Sequence, residues 1–245
     1  MLTFLRKIRR SLIESGSARK YFLYAIGEIA LVVIGILIAL QINNWNEDRK
    51  DKKVQFRLLK ELHVTAGEDY LRNHNHVRRN KESLASLEIV INHLERKLPF
   101  HDSLSHHFAM AHSRWISQVK DNAYENIKEH GLDFIENDTT RNHLTHLYEN
   151  RIELFHVFDT RFDQFFYQIA VPELINSFND IFPQGTIRGE MFPLDYNSLS
   201  NNMKYLNILK ATRSHMRQYT NWQERTILDG MGELQQRLEA EMMRY

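Results

Sequence analysis

"YFLYAIGEIALVVIGILIALQI", Tyr21–Ile42, holds one acid, Glu28, and is otherwise apolar or aromatic apart from Gln41. At about 1.5 Å per helical residue the stretch covers roughly 33 Å, close to the hydrocarbon thickness of a bilayer. It reads as one transmembrane helix. A cleaved secretory leader would have a shorter apolar region ending in an A-x-A-like site, whereas this run continues into "NNWNEDRK" (43–50). Trp45 falls where amphipathic rings prefer to lie, Tyr21 and Tyr24 occupy the opposite interface, and Arg19 and Lys20 abut the span, so these five residues are the expected membrane anchors.

An ionised carboxylate inside a span is expensive, so Glu28 requires an explanation. Separations of seven and eleven residues return to within about 20° of the starting direction on a helix, which puts Glu28, Gly35 and Ala39 on one face. Gly35 and Ala39 are a small-xxx-small pair of the kind that lets two helices approach closely. This face is the candidate interface with a second protein helix. The alternatives are a neutral carboxyl, or one reaching headgroup water near Arg19 or Lys20.

Before the span, residues 1–20 place Leu5, Ile8 and Leu12 on one helical side and Arg6, Lys7, Arg9 and Arg10 around the rest, the pattern of a segment lying on an anionic membrane surface or of a frayed basic tail. Lys and Arg are equally numerous in the twenty residues on each side of the span. Arg19 and Lys20 directly before it, against Glu47 and Asp48 after it, favour a cytoplasmic N-terminus and an exported C-terminal domain. The expected localisation is a bacterial inner membrane, crossed once, with the domain in the periplasm.

Residues 43–53 form a charged juxtamembrane segment, and 54–245 read as one helical soluble domain. Its first helix, about 54–98, carries Leu58, Leu59, Leu62, Ala66, Val77, Leu84, Leu87, Ile91 and Leu94 in one stripe, interrupted by "RNHNHVRRNKES" (72–83), where Asn73 and Asn80 occupy core-facing positions. Either a kink or a thin polar layer belongs there. Pro99 ends this helix. Asp121 is placed to cap "NAYENIKEH" and Gly131 to stop it in the αL conformation. Asp138 is placed to cap a second long helix ending near Pro172, with Leu154 and Ile169 among its apolar stripe. A third long helical region runs from about Leu199 to Met242. With 9 Gly and 4 Pro in 245 residues, the expected class is all-α: one N-terminal transmembrane helix followed by a domain of long antiparallel helices.

No cysteine is present, which removes disulfides, thiolate catalysis and Cys-based metal sites. A net charge of +1 argues against a polyanion binder, and the basic stretches lack interleaved stacking aromatics, so no nucleic acid is expected. G-x-S-x-G, phosphate-cradling and dinucleotide motifs are missing. His143, His146, Glu149, Glu153 and His156 share one helix face, but opposite the apolar stripe, where they read as a solvated surface; "ELFH" (153–156) stands alone, whereas a di-iron bundle needs two E-x-x-H pairs. The histidines at 74, 76, 106, 107 and 112 read as polar-layer and connector residues. No catalytic residue, metal site, cofactor or small-molecule substrate is inferred.

"YAIGEIALVVIGILIALQINNWNE" (Tyr24–Glu47) and "NAYENIKEHGLDFIENDTTRNHLTHLYE" (Asn122–Glu149) together resemble a family of uncharacterised single-span membrane proteins of Bacteroidota, a domain of unknown function. The resemblance implies location and architecture and brings no catalytic residue with it. Sequence and resemblance together point to a non-enzymatic membrane-anchored scaffold or interaction module whose partners are the lipid bilayer and a second copy or a membrane complex. The alternative is an accessory subunit of an ion-coupled membrane machine with Glu28 in a proton path. A metal-dependent enzyme built on the histidines ranks below both.

Overall fold

The structure, a computed structural model, describes residues 18–181 and 189–245. The basic segment ahead of Ala18 lies outside the described residues. Among the described residues there is no strand, only an isolated bridge between Phe178 and Pro193, and the chain is helical almost throughout. The first helix, α1 (Ala18–Glu95), passes without interruption through the apolar run, the juxtamembrane charges and the polar stretch 72–83. Ladder-type side-chain pairs support it locally, among them Asn43 with Glu47 and Arg78 with Glu82, each four residues apart. It ends where Lys97 adopts a φ of +51° just ahead of Pro99, a proline whose ring disfavours helix in the residue before it.

The chain divides into two compact units, one ending at Gln55 and the other running Phe56–Tyr245. In the first, the side of α1 from Phe22 to Ile42 is bare: Phe22, Ile29, Leu31 and Ile42 are each 60% exposed or more. In the second, the same helix buries Leu59, Leu62, Ala66, Val77, Leu87, Val90 and Ile91.

The second unit continues with α2 (Ser103–Ala111), a non-helical segment 113–120, α3 (Asn122–His130) and a short 3-10 turn (Leu132–Phe134). A long helical run follows: α4 (Asp138–Thr145), a π-turn (His146–Ile152), α5 (Glu153–Phe165), a second π-turn (Phe166–Ala170) and α6 (Val171–Ser177). After α7 (Tyr196–Ser200), α8 (Met203–Trp222), a third π-turn (Gln223–Leu228) and α9 (Asp229–Met242) complete it. Contacts set the directions. Along α1 the partners of Glu88, Lys81 and His63 are Arg213, Glu224 and Glu239, so α8–α9 runs antiparallel to α1. Along α4–α6 the partners of His143, Arg151, Phe158 and Glu173 are Gly230, Arg225, Trp222 and Asn202, again in opposite order. Three long helical runs therefore pack as a bundle around Leu87, Phe108, Leu174, Tyr205 and Leu209.

Several local expectations change. The long helix does not end near Pro172 but continues to Ser177, with Pro172 in the first turn of α6. A proline lacks the N–H and crowds the carbonyl four residues back, and the π-turn just before it widens the backbone where that conflict would fall. Leu154 and Ile169, expected to face inward, are 47% and 49% exposed, while Tyr148 and Ile152 are buried. A π-turn inserts an extra residue per turn, so a 3.6-residue stripe read through it points to the wrong side. Asn137, not Asp138, caps α4: its Oδ1 accepts from the Thr139 and Thr140 N–H groups, and Asp138 instead pairs with Arg141 within the first turn. Asp121 stands at the start of α3 without accepting a capping hydrogen bond. Gly131 stops α3 at φ +101°, ψ 134°, outside the αL region and accessible without strain only to glycine.

Candidate functional site

The polar interruption of α1 forms a layer through which the helix runs unbroken. Asn73 and Asn80 are fully buried and face the non-helical segment 113–120. An amide side chain carries both a donor and an acceptor, so it can satisfy a peptide unit from both sides. Asn80 does this for Trp115: its Nδ2 donates to the Trp115 carbonyl at 2.9 Å and its Oδ1 accepts the Trp115 N–H at 2.8 Å. Asn73 does the same for Gln118, donating to the carbonyl at 2.9 Å and accepting the N–H at 3.3 Å, and it also accepts the Ser117 hydroxyl at 2.6 Å.

The register follows from two rises. Seven helical residues from Asn73 to Asn80 cover about 10.5 Å, and three nearly extended residues from Trp115 to Gln118 cover about 10 Å. The match continues outward: Asp69, one turn before Asn73, accepts the Lys120 N–H at 2.8 Å, and the Ser83 hydroxyl lies 2.7 Å from the Ser113 carbonyl. From the third helical run, the Tyr219 hydroxyl accepts the Ser117 N–H. A segment without secondary structure would otherwise carry unpaired backbone groups into the bundle, and this ladder removes that penalty. Burial holds the Asp69 carboxyl above the ordinary carboxylate range, opposed by the Lys120 N–H and by Arg72, whose Nη1 lies 2.6 Å away.

Arg114, on the same segment, is held by a different set of groups. Its guanidinium pairs with Asp159 and Asp163, one turn apart on α5, and lies 4.4 Å from the Phe162 ring centre and 4.9 Å from that of Tyr219. Beside it is a cavity of ≈ 170 Å³ bounded by His112, Arg114, Phe162, Asp163, Thr212 and Met216. His112 Nε2 lies 3.1 Å from the Tyr205 hydroxyl, and burial pushes this imidazole down to about 4. The arrangement fixes the segment between α1 and α5 through charge and aromatic contact.

The sequence candidates fall as follows. Glu28 is partly covered and Gly35 and Ala39 are exposed, all on the apolar part of α1, and a Cβ added at Gly35 would meet nothing within 4 Å. Arg19 is exposed, Tyr24 is partly covered, and Trp45 is exposed with the Arg49 guanidinium 6.0 Å from its ring. The side chains of Lys20 and Tyr21 lie outside the described residues. Of the helical histidine face, His146, Glu153 and His156 are exposed, Glu149 bonds the Tyr124 hydroxyl and Lys128, and His143 turns inward to the Gly230 carbonyl. Among the described residues no group of three or more His, Cys, Asp or Glu is placed to hold a metal ion. The basic stretch 72–83 is largely consumed by the fold, through Arg72–Asp69, Arg78–Glu82, Lys81–Glu224 and the Arg79 guanidinium over Trp115. His112 lies in the connector, half-buried at the C-terminal end of α2 beside the Tyr205 hydroxyl. Sequence reasoning missed the Arg114 pairing, although the two Phe-Asp pairs four residues apart in "FDTRFD" (158–163) place both carboxylates on one helix face.

Residues 28–110, about a third of the chain, match a family of unknown function, DUF6090. The match takes in the apolar part of α1, the α1 half of the ladder and α2, and stops before Arg114 and before the stretch 122–149. No curated protein and no solved structure matches the chain.

Proposed function

We propose that this chain is a non-enzymatic, membrane-anchored helical module that crosses a bacterial inner membrane once through 21–42, keeps its N-terminus in the cytoplasm, and associates with a second copy or with a membrane complex through the Glu28, Gly35 and Ala39 face. The observation that carries the reading is the bare apolar stretch of α1: its most hydrophobic window has no share of its residues buried. The thirteen large apolar side chains exposed between Phe22 and Ile42 are stable in hydrocarbon and not in water. The small-residue face then supplies the close approach that lipid-embedded helices use in place of hydrophobic burial.

Association is tested in mild detergent with three variants. Gly35→Leu blocks close approach, Glu28→Leu removes the carboxyl, and Glu28→Gln keeps its size and hydrogen bonding. The reading expects the first two to weaken a detergent-resistant assembly and the third to preserve it; unchanged assembly in Gly35→Leu sinks the interface. A Glu28→Gln variant that assembles yet abolishes a partner's ion-driven activity supports the proton-path alternative. Orientation is tested by adding protease to spheroplasts, which should digest the domain after Asn46; digestion only after permeabilisation reverses the topology.

A further inference from the structure

The first and third π-turns, His146–Ile152 and Gln223–Leu228, pack against each other. π-turns in α-helices occur frequently at functional sites, because the widened turn re-aims side chains and carbonyls. Here the carbonyl of Arg225, within the third turn, accepts a hydrogen bond from Arg151 Nη2 of the first at 2.8 Å. Beside this contact lies an open groove of ≈ 490 Å³, within the range of small-molecule sites. One wall is a single face of α8 and the following turn, with Gln218, Asn221, Trp222 and Arg225 spaced three, one and three residues apart; Arg151 and Leu154 form the other.

Several arginines of the bundle are neutralised by carboxylates, and the two in this groove are not. Arg72, Arg114, Arg141, Arg213, Arg237 and Arg244 each meet a carboxylate. Among the described residues neither Arg151 nor Arg225 forms an ion pair. The Arg151 charge is felt by Glu233, but that carboxyl is held chiefly by Arg237. Glu224, beside Arg225 in sequence, is turned to Lys81 on α1. Two guanidinium groups without carboxylates line the groove, one oriented by a backbone carbonyl and the other free to present its planar fork. An indole face and a leucine side chain provide the apolar surface, and two amides stand beside them.

We propose that this groove binds a small organic carboxylate with an aromatic or branched apolar body. The carboxylate engages Arg225, with Arg151 adding positive charge, and the apolar body lies against Trp222 and Leu154. Planar, bidentate guanidinium–carboxylate pairing favours a carboxylate over an uncharged isostere, and the ring supplies contact area that a simple inorganic anion lacks. The inference stands on the second unit alone and is independent of membrane association.

The probe is 4-fluorophenylacetate, followed by fluorine NMR on the full chain in detergent, with 4-fluorophenylacetamide as the uncharged isostere, inorganic phosphate as the ring-free anion and empty micelles as the blank. The acid should bind saturably and about tenfold or more tighter than the amide. Arg225→Gln, an exposed change that leaves the fold intact by circular dichroism, should weaken the acid about tenfold and leave the amide unchanged, whereas Arg161→Gln on exposed α5 surface should change neither. Equal binding of acid and amide, or acid binding unaffected by Arg225→Gln, overturns the site. Displacement of the acid by phosphate at equal concentration overturns the ligand class.

Discussion

Ile29, Leu31, Leu37 and Ile42 stand on the same helix as Leu59, Leu62, Leu87 and Ile91, yet the first four are more than half exposed and the second four are buried. Helicity is common to both regions because it is satisfied within the segment, one residue's N–H to a carbonyl a turn away. What differs is the treatment of polar groups. The first region has almost none to place, which suits a solvent without hydrogen-bond partners. The second carries Asp69, Asn73, Asn80 and Ser83 into its interior and gives each a partner on segment 113–120. Uniform apolar surface allows a helix to be placed in lipid, whereas a buried polar ladder admits one register only, because a slip of one residue leaves several groups unpaired.

That contrast is most exposed to attack at Arg114. Arg114→Met should destabilise the second unit by about 3–5 kcal/mol, because it strands the carboxylates of Asp159 and Asp163 in a partly buried setting, with the exposed side of Asp163 keeping the loss toward the lower figure. Urea unfolding followed by circular dichroism measures it. Adding Asp159→Asn and Asp163→Asn to the same chain should recover part of the loss. If the single change is neutral, the segment is held by the ladder alone.

Asn73→Leu should cost about 2–4 kcal/mol in the same assay, since it takes the acceptor from the buried Ser117 hydroxyl and the Gln118 N–H and leaves the Gln118 carbonyl only the 3.4 Å contact with Arg72. Asn43→Leu, an exposed position in the first unit, should change unfolding of the second by less than about 0.5 kcal/mol. Equal effects would remove the distinction between the two regions.

Acid sharpens the comparison further. Burial holds His112 at about 4 in the folded chain against an ordinary 6.5, so above 6.5 both states are neutral and the residue makes no contribution to pH dependence. Below 6.5 the unfolded chain takes up a proton that the folded chain refuses, and stability falls until about pH 4, by about 2–3 kcal/mol in all. His76 and His107, also held down by burial, act in the same direction. His112→Gln should flatten the slope of stability against pH between 6.5 and 4 without abolishing it; an unchanged slope would mean that the imidazole is wet.

The smallest effect concerns two glycines. A Cβ at Gly230 would lie 2.7 Å from Leu147 Cδ1, so Gly230→Ala should destabilise by about 1–3 kcal/mol through overpacking where the two π-turns meet. Gly35→Ala, with nothing within 4 Å, should leave the second unit's unfolding unchanged.

Much of this was legible from residue order. The apolar run, the three long helical regions and the inward positions of Asn73 and Asn80 all follow from patterns within one turn or one stripe. Leu154 and Ile169 were misplaced because periodicity assumes a constant 3.6 residues per turn, and the π-turns break it. Those turns have no local signature of their own beyond Pro172, since the two that meet at Gly230, Leu147 and Arg151 lie within interlocking contacts formed by distant parts of the chain.

The amino-acid sequence by itself determined that an apolar span and an all-helical domain must form, because hydrocarbon-length hydrophobicity and helical amphipathicity are properties of contiguous residues. Only the tertiary structure decided what the inward polar residues do. Asn73 could have bent the helix or paired with another helix; it clamps Gln118, forty-five positions further on, because the intervening chain returns a segment at a rise that matches the helix. The same holds for Arg114, whose partners are fixed by where α5 comes to lie, and for Arg151 and Arg225, which are left without carboxylates because Glu224 and Glu233 are drawn to Lys81 and Arg237. Charge pairing across a bundle depends on which helices meet and in what direction, and that is a property of the packed molecule.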